Sequence, residues 1–250
     1  MPIFKSEAIV LKRINFAESD LIVTFFTKSF GKTACVAKRA RKMNSPFGGR
    51  LEPFACVNII YSGKEHQNLM SLRHCDIVMP FYKLREDYSR LTIGLYFTEI
   101  VNHFTREEQE NAELYTLLLL MLDHLQRTEN LFVFTIIFEM KAIAFSGFAP
   151  KLTTCLICKN EPVGKILNFH FQEGGVICGK CLNGNSPGRR INLGTLNYLK
   201  KALTINLDSI ERLKLPKGLD KELGLITHTY LRSLVGKELK SHKFLHSLYS

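Results

Sequence analysis

Three kinds of signal are missing from this 250-residue chain, and each absence removes a class of function. It has no Gly-x-x-x-x-Gly-Lys-Ser/Thr phosphate loop, no dinucleotide fingerprint after a strand and no Gly-x-Ser-x-Gly elbow. Nothing points to hydrolysis or group transfer, so a non-enzymatic role is expected. The opening residues Met1 to Glu7 contain no secretory apolar core. The longest apolar stretch, Leu131 to Phe145, is interrupted by Glu139 and Lys141 well short of a bilayer span. A cytoplasmic protein is therefore expected. Acidic residues are also scarce, with 23 Asp and Glu against 34 Lys and Arg, a net charge of +11. There is no internal repeat and no low-complexity segment, and at 46% hydrophobic residues the chain can bury one large core or two smaller ones.

What is present begins with cysteine. Cys155-x-x-Cys158 and Cys178-x-x-Cys181 have the spacing of two knuckle turns that together close a tetrahedral thiolate shell around one zinc ion. Gly, Asn and Pro lie near each pair, as tight turns require: Asn160 and Pro162 after the first, Gly174-Gly175 before the second, Asn183-Gly184-Asn185 after it. Two disulfides or four buried thiols are the alternatives. Four cysteines leave no open coordination position, so a structural ion is expected; a catalytic one would need His170 and Glu173 as its chemical groups. The other cysteines, Cys35, Cys56 and Cys75, suit a reducing compartment as small buried hydrophobes.

The positive charge is unevenly distributed. Residues 1–80 carry +6, residues 81–150 carry −4, residues 151–192 carry +4 and residues 193–250 carry +5. A phosphate polymer is the natural partner for such an excess. Its densest cluster is Lys38-Arg39-Ala40-Arg41-Lys42, at the mouth of a long loop running to Arg50, with Lys12, Arg13, Lys32 and Arg50 as expected neighbours. Several phosphate contacts from one loop would make binding steeply salt-dependent. Phe47 is a candidate for stacking on a base, although a loop aromatic with no such role is the favoured reading for it. A solvated charged loop is the bland alternative. Arg189-Arg190 and the series Lys237, Lys240, Lys243 with His242 and His246 form a second basic group, or else an ordinary polar helix face. The other histidines, among them His66, show no ligand spacing.

Five β-branched and aromatic runs between Ser6 and Met79, separated by Gly- and Pro-containing turns, predict a small closed barrel. The first two are apolar on both parities, so part of the outer wall should lie under another layer. After Pro80 the pattern turns helical, with helices expected over Tyr82–Phe104, Asn111–Leu125 and Leu131–Phe145. The last should be buried all round. Glu107, Glu108, Glu110 and Glu113 fall at the second helix's start, where they would complement its dipole. The cysteine ribbon and the loop Gly184–Arg190 follow, then helices near Leu193–Leu203 and Lys221–Leu239. The fold class expected is α+β: an N-terminal five-stranded closed barrel over 1–80, then a helical domain over 81–250 with a zinc ribbon inserted at about 151–190.

Glu7-Ala-Ile-Val-Leu-Lys-Arg, Glu18-Ser-Asp, Phe26-Thr-Lys-Ser-Phe-Gly-Lys, Val36-Ala-Lys-Arg-Ala-Arg-Lys and Leu51-Glu-Pro-Phe resemble, in order and spacing, the N-terminal region of the bacterial recombination mediator family RecO. The resemblance covers the whole chain, since that family joins a five-stranded oligonucleotide-binding (OB) barrel to a helical domain with a four-cysteine zinc ribbon, and it implies the OB-fold for residues 1–80. It implies DNA repair by recombination: binding of single- and double-stranded DNA, annealing of complementary strands and, with RecR, loading of RecA onto strands coated by single-strand-binding protein. It also implies docking of that protein's acidic tail on the helical domain and a nucleoid-associated, cytoplasmic location. DNA contact falls by this resemblance on Lys38, Arg39, Arg41 and Lys42, where the family often has glycine at the position of Arg39. That departure adds a cation at a point where glycine's positive φ would otherwise be free. A zinc-ribbon RNA-binding or translation-associated module remains the alternative that the barrel and charge allow.

Overall fold

A computed structural model of the protein describes residues 1–64, 68–182 and 187–249. His66 and the loop residues 183–186 lie outside that set. The chain divides into two compact units, Met1–Arg127 with Leu239–Ser250, and Thr128–Glu238.

In the first unit, β1 (Ile3–Phe16), β2 (Asp20–Thr27), β3 (Gly31–Ala37), β4 (Cys56–Ser62) and β5 (Met70–Met79) close a barrel in the order β1-β2-β3-β5-β4. All neighbours are antiparallel except β3 and β5, which meet in parallel at Cys35 opposite Met70. This is the closed five-stranded barrel expected from the runs of β-formers, with the OB topology that the family resemblance implies. Alternation explains the interior. Ala8, Val10, Val23, Phe25, Cys35, Val57 and Ile59 share one buried cluster, and the opposite parity faces outward. A bulge between Val10 and Lys12 lets β1 bend round the barrel. Segment Leu51–Phe54 seals it there, with Phe54 N–H donating to Val10 O (2.7 Å) and Val10 N–H to Ala55 O (3.0 Å).

The outward residues Ile9 and Phe26 are buried all the same, because helices cover that wall. A short turn of helix, α1 (Lys83–Glu86), leads into α2 (Tyr88–Phe104) and α3 (Ala112–Leu125). Tyr115 of α3 tilts against Phe26 at 5.7 Å, and its hydroxyl donates to Glu7 Oε1. The covering layer expected from double-sided apolarity is thus this helix pair. The single helix expected over Tyr82–Phe104 is broken at Asp87, whose extended backbone and carboxylate cap α2 by accepting Arg90 N–H. Asn111 caps α3 in the same way through Leu114 N–H.

The second unit is built round α4 (Leu131–Ile143), on which every residue from Val133 onward is buried. One helical run, Leu131–Phe148, is long and apolar enough to cross a membrane by composition alone, and most of it lies inside this unit. Against α4 pack α5 (Leu193–Thr204) and α6 (Asp220–Val235). Lys141 satisfies its buried ammonium on Leu203 O at 3.0 Å. A four-stranded sheet completes the unit: β6 (Lys151–Cys155), β7 (Ile166–His170), β8 (Gly175–Ile177) and β9 (Arg189–Asn192), ordered β6-β8-β7-β9. The helix expected to reach Leu239 stops at Val235, because Gly236 takes the left-handed φ of 76° that ends it. A further helix, α7 (His242–Tyr249), belongs with the first unit.

Candidate nucleic-acid interface and metal centre

The basic loop is held by its backbone and exposes its side chains, with the Arg41 guanidinium also donating to Glu18 O at 3.4 Å. Asp20, at the start of β2, accepts Arg39 N–H on Oδ1 at 2.7 Å, and Ser19 O accepts Arg41 N–H at 2.9 Å. Arg39 has φ 58°, the left-handed conformation that a glycine would adopt without cost. The arginine therefore keeps the turn and adds its charge. Lys38, Arg39, Arg41 and Lys42 are all exposed.

The neighbouring cations divide. Lys12 is exposed and outward-facing on β1, opposite Thr24. Arg13 lies at the barrel mouth, paired with Glu52 at 2.6 Å. Arg50 bonds through its guanidinium to Pro46 O and braces the loop. Lys32 is different in kind. Its ammonium donates to Asn102 O at 2.9 Å, and burial lowers its pKa against the opposing charge of Glu107. It is tied to the fold by that bond and stands beside Glu107, so it does not join the basic loop.

Stacking by Phe47 is ruled out. Only 6% of it is exposed and it packs in the barrel core with Leu51 and Ala55, so its ring plugs the end of the barrel and cannot receive a base. The available aromatic is Phe16, 44% exposed at the end of β1. Cross-strand pairing puts Phe16, Ile14 and Lys12 on the outer face beside Ile22 and Thr24 of β2 and Val36 and Ala34 of β3. The period-two spacing of Lys12, Ile14 and Phe16 carried that information. The carboxylates before α3 also need correction. Only Glu113 stands in the first turn; Glu107, Glu108 and Glu110 precede the helix and line a cavity instead.

In the second unit, the Sγ atoms of Cys155, Cys158, Cys178 and Cys181 lie within 4.8 Å of one another, with Cys158 and Cys178 at 3.9 Å. Two reverse turns bring them together. Lys159 N–H bonds Cys155 O across the first, with Lys159 itself at φ 61°, and Cys181 N–H bonds Cys178 O across the second. Backbone N–H groups of Ile157 and Cys178 point at the Cys155 sulfur from 3.4 and 3.3 Å. Burial opposes its ionisation, but these donors prevail and hold the Cys155 thiol at about 6. Cys181 is pushed up to about 12 by hydrogen bonds with Cys178 and Cys158. Four sulfurs this close together, with the Cys155 thiol lowered, form a donor set that could hold a metal ion. His170 and Glu173 stand outside it: Glu173 N–H donates to His170 Nδ1 at 3.1 Å, a local turn bond. The remaining thiols, Cys35, Cys56 and Cys75, are buried, and burial raises them to about 12, 11 and 12. Arg189 and Arg190 are exposed on edge strand β9, whereas His242 is buried beside Tyr96. The His246 side chain lies outside the described set.

Comparison with known proteins agrees with this architecture along the whole chain. Residues 1–81 match the family model "Recombination protein O N terminal" and residues 85–243 match "Recombination protein O C terminal". The "DNA repair protein RecO" of Syntrophus aciditrophicus is 32% identical over 96% of this chain and 94% of its own length. Its namesake in Desulforamulus reducens is 32% identical over 100% of this chain and 96% of its own, and that of Desulfatibacillum aliphaticivorans 31% over 99% and 98%. Barrel topology, cysteine cluster and end-to-end similarity converge: the chain belongs to the RecO family of DNA repair and recombination proteins.

Proposed function

We propose that this protein is a recombination mediator that binds single- and double-stranded DNA through the barrel and anneals complementary strands without breaking a bond. The observation that carries this reading is the loop Lys38–Lys42: four exposed cations on a backbone fixed by Asp20 and Ser19. Each phosphate they neutralise releases counterions, and two strands held by one cationic surface repel each other less. Phe16 and Ile14, beside Lys12 on the outer sheet face, offer unpaired bases a stacking platform. Arg13 and Arg50 sit nearby as secondary contacts once their internal partners are exchanged for phosphate. Lys32 is left out.

Family membership supports the wider assignment: RecR as partner, the acidic tail of single-strand-binding protein as a second one, RecA loading as the indirect result, and a cytoplasmic, nucleoid-associated site of action. Zinc is the ion proposed for Cys155, Cys158, Cys178 and Cys181, since four thiolates suit it and leave no position for water. Its contribution would be to fold the ribbon.

A strand-annealing assay with Lys38, Arg39, Arg41 and Lys42 changed together to Glu tests the proposal. Annealing should be abolished while the heat-unfolding midpoint holds; unchanged annealing overturns the assignment. Competition between DNA and RNA of one sequence adds the second arm, where a strong preference for RNA would favour an RNA-binding module.

A further inference from the structure

The opposite end of β3 carries a site of the reverse electrostatic sign. A cavity of about 430 Å³ is lined by Phe4, Phe30, Tyr61 and Met70 on its apolar side and by Glu107, Glu108 and Glu110 on its rim. Three rings form the wall. Phe4 and Tyr61, paired across β1 and β4, stack at 5.2 Å and 18°; Phe30 stands edge-on to both, at 5.4 Å and 77° from Phe4 and 6.5 Å and 86° from Tyr61. Phe30 is 38% exposed.

The position of Phe30 is built into the fold. It sits at the tip of the β2–β3 hairpin, where Thr27 Oγ1 accepts Phe30 N–H at 2.9 Å and donates to Gly31 O at 2.8 Å. Gly31 takes φ 67°, and a Cβ there would come within 2.3 Å of Gln109 O. The hairpin tip is thus clamped on the glutamate segment, with Glu108 N–H bonded to Lys32 O. Rings and carboxylates face one another across a seam that only glycine permits.

We propose that this cavity receives an arginine side chain presented by a partner protein. Aromatic faces carry negative potential and attract a cation lying over them, most of all one that sheds little hydration. A guanidinium is planar, stacks on rings and can be held by a carboxylate through two parallel bonds, which an ammonium cannot match. Among the described residues the lining holds three glutamates and one cation, Lys32, whose ammonium bonds Asn102 O. A phosphate backbone is repelled from this rim, which separates the site from the basic loop. A bare divalent ion is disfavoured too, since the glutamates do not converge into a metal-binding group.

Methyl NMR of Met70 and Ala34, both in the lining, reads the site directly. The probe is acetyl-Gly-Arg-Gly-amide, with a citrulline peptide and spermidine as the other arms. Saturable shifts are expected with a Kd of ~1 mM, about the strength of one anchored side chain. Citrulline should bind about tenfold more weakly, because it keeps the shape and loses the charge. Phe30→Ala and, separately, Glu110→Gln should each weaken the arginine peptide about fivefold. Glu110→Gln changes an exposed residue, so it remains informative if Phe30→Ala fails to fold. Absent or non-saturating shifts, equal binding of citrulline, or wild-type affinity in Glu110→Gln would each overturn the proposal. Tighter binding of spermidine than of the peptide would make this a polyamine site and overturn it as well.

Discussion

The Asp20 carboxylate and the Arg39 backbone N–H meet at 2.7 Å, and this bond, with that from Arg41 N–H to Ser19 O, fixes a basic loop in a conformation that its own sequence resists. Arg39 at φ 58° carries a left-handed cost of about 1 kcal/mol that glycine would not. Stability and charge are therefore opposed at residue 39. Arg39→Gly should raise the unfolding midpoint slightly and weaken binding to single-stranded DNA, whereas Asp20→Ala should lower both stability and affinity with every cation still present. Thermal melts and fluorescence anisotropy on the same samples check the pair. A gain in affinity for Arg39→Gly would show that its charge is not used.

The exposed and the internally bonded cations should separate in a salt series. If each phosphate contact on a single strand contributes about 0.7 to the slope of log K against log salt, then Lys38→Ala, Arg41→Ala and Lys42→Ala should each flatten it by roughly that amount. Lys32→Ala should leave the slope alone and lower stability instead, since it removes the bond to Asn102 O. A shallower slope for Lys32→Ala would put that residue back on the DNA.

How much of this was legible in the chain follows from the range of each signal. Barrel, helices and cysteine pairs rest on local pattern: β-formers between turns, apolar residues at helical spacing, ligands across two tight turns. All three are in the structure. Phe47 could not be placed from sequence because an aromatic in a polar, Pro/Gly-rich loop looks exposed, and its place in the core depends on Leu51 and Ala55 folding back under it. Lys32 shows the same limit. Its charge is visible in the sequence, but the carbonyl of Asn102 that occupies it is brought up only by packing. The aromatic and acidic cavity needed Phe4, Phe30, Tyr61 and Glu107 together, and no local window contains them.

The cysteine cluster gives a sharper test than loss of stability alone. Cys155 is the sulfur toward which two backbone N–H groups converge, so Cys155→Ser should reduce metal affinity more than Cys158→Ser, whose side chain is exposed. Both should lose stoichiometric zinc and increase hydrogen exchange in β6 and β8. X-ray absorption on the zinc-loaded wild type should report four sulfur neighbours at ~2.3 Å. A nitrogen or oxygen ligand there would reopen a role for His170.

Glu99 supplies the pH prediction. Its carboxylate accepts Lys240 N–H at 3.0 Å and Ser241 N–H at 2.9 Å, together with the Ser241 hydroxyl, and so holds the start of α7. Burial pushes its pKa up, but these donors outweigh burial and leave it below the ordinary value of 4.5. A carboxyl depressed in the folded state adds stability that is complete above its unfolded pKa and disappears as the pH falls through its folded one. The attachment of α7 should therefore be constant at neutral pH and weaken only below about 4.5. Hydrogen exchange of the α7 amides from pH 7 to pH 3 should show this loss. In Glu99→Gln the exchange should already be faster at pH 7, and its acid dependence should flatten, because the amide still accepts one bond but has no charge to lose. If α7 in that variant kept wild-type protection at pH 7, the helix would be held by the packing of Leu239 and Leu245, both buried, and not by Glu99.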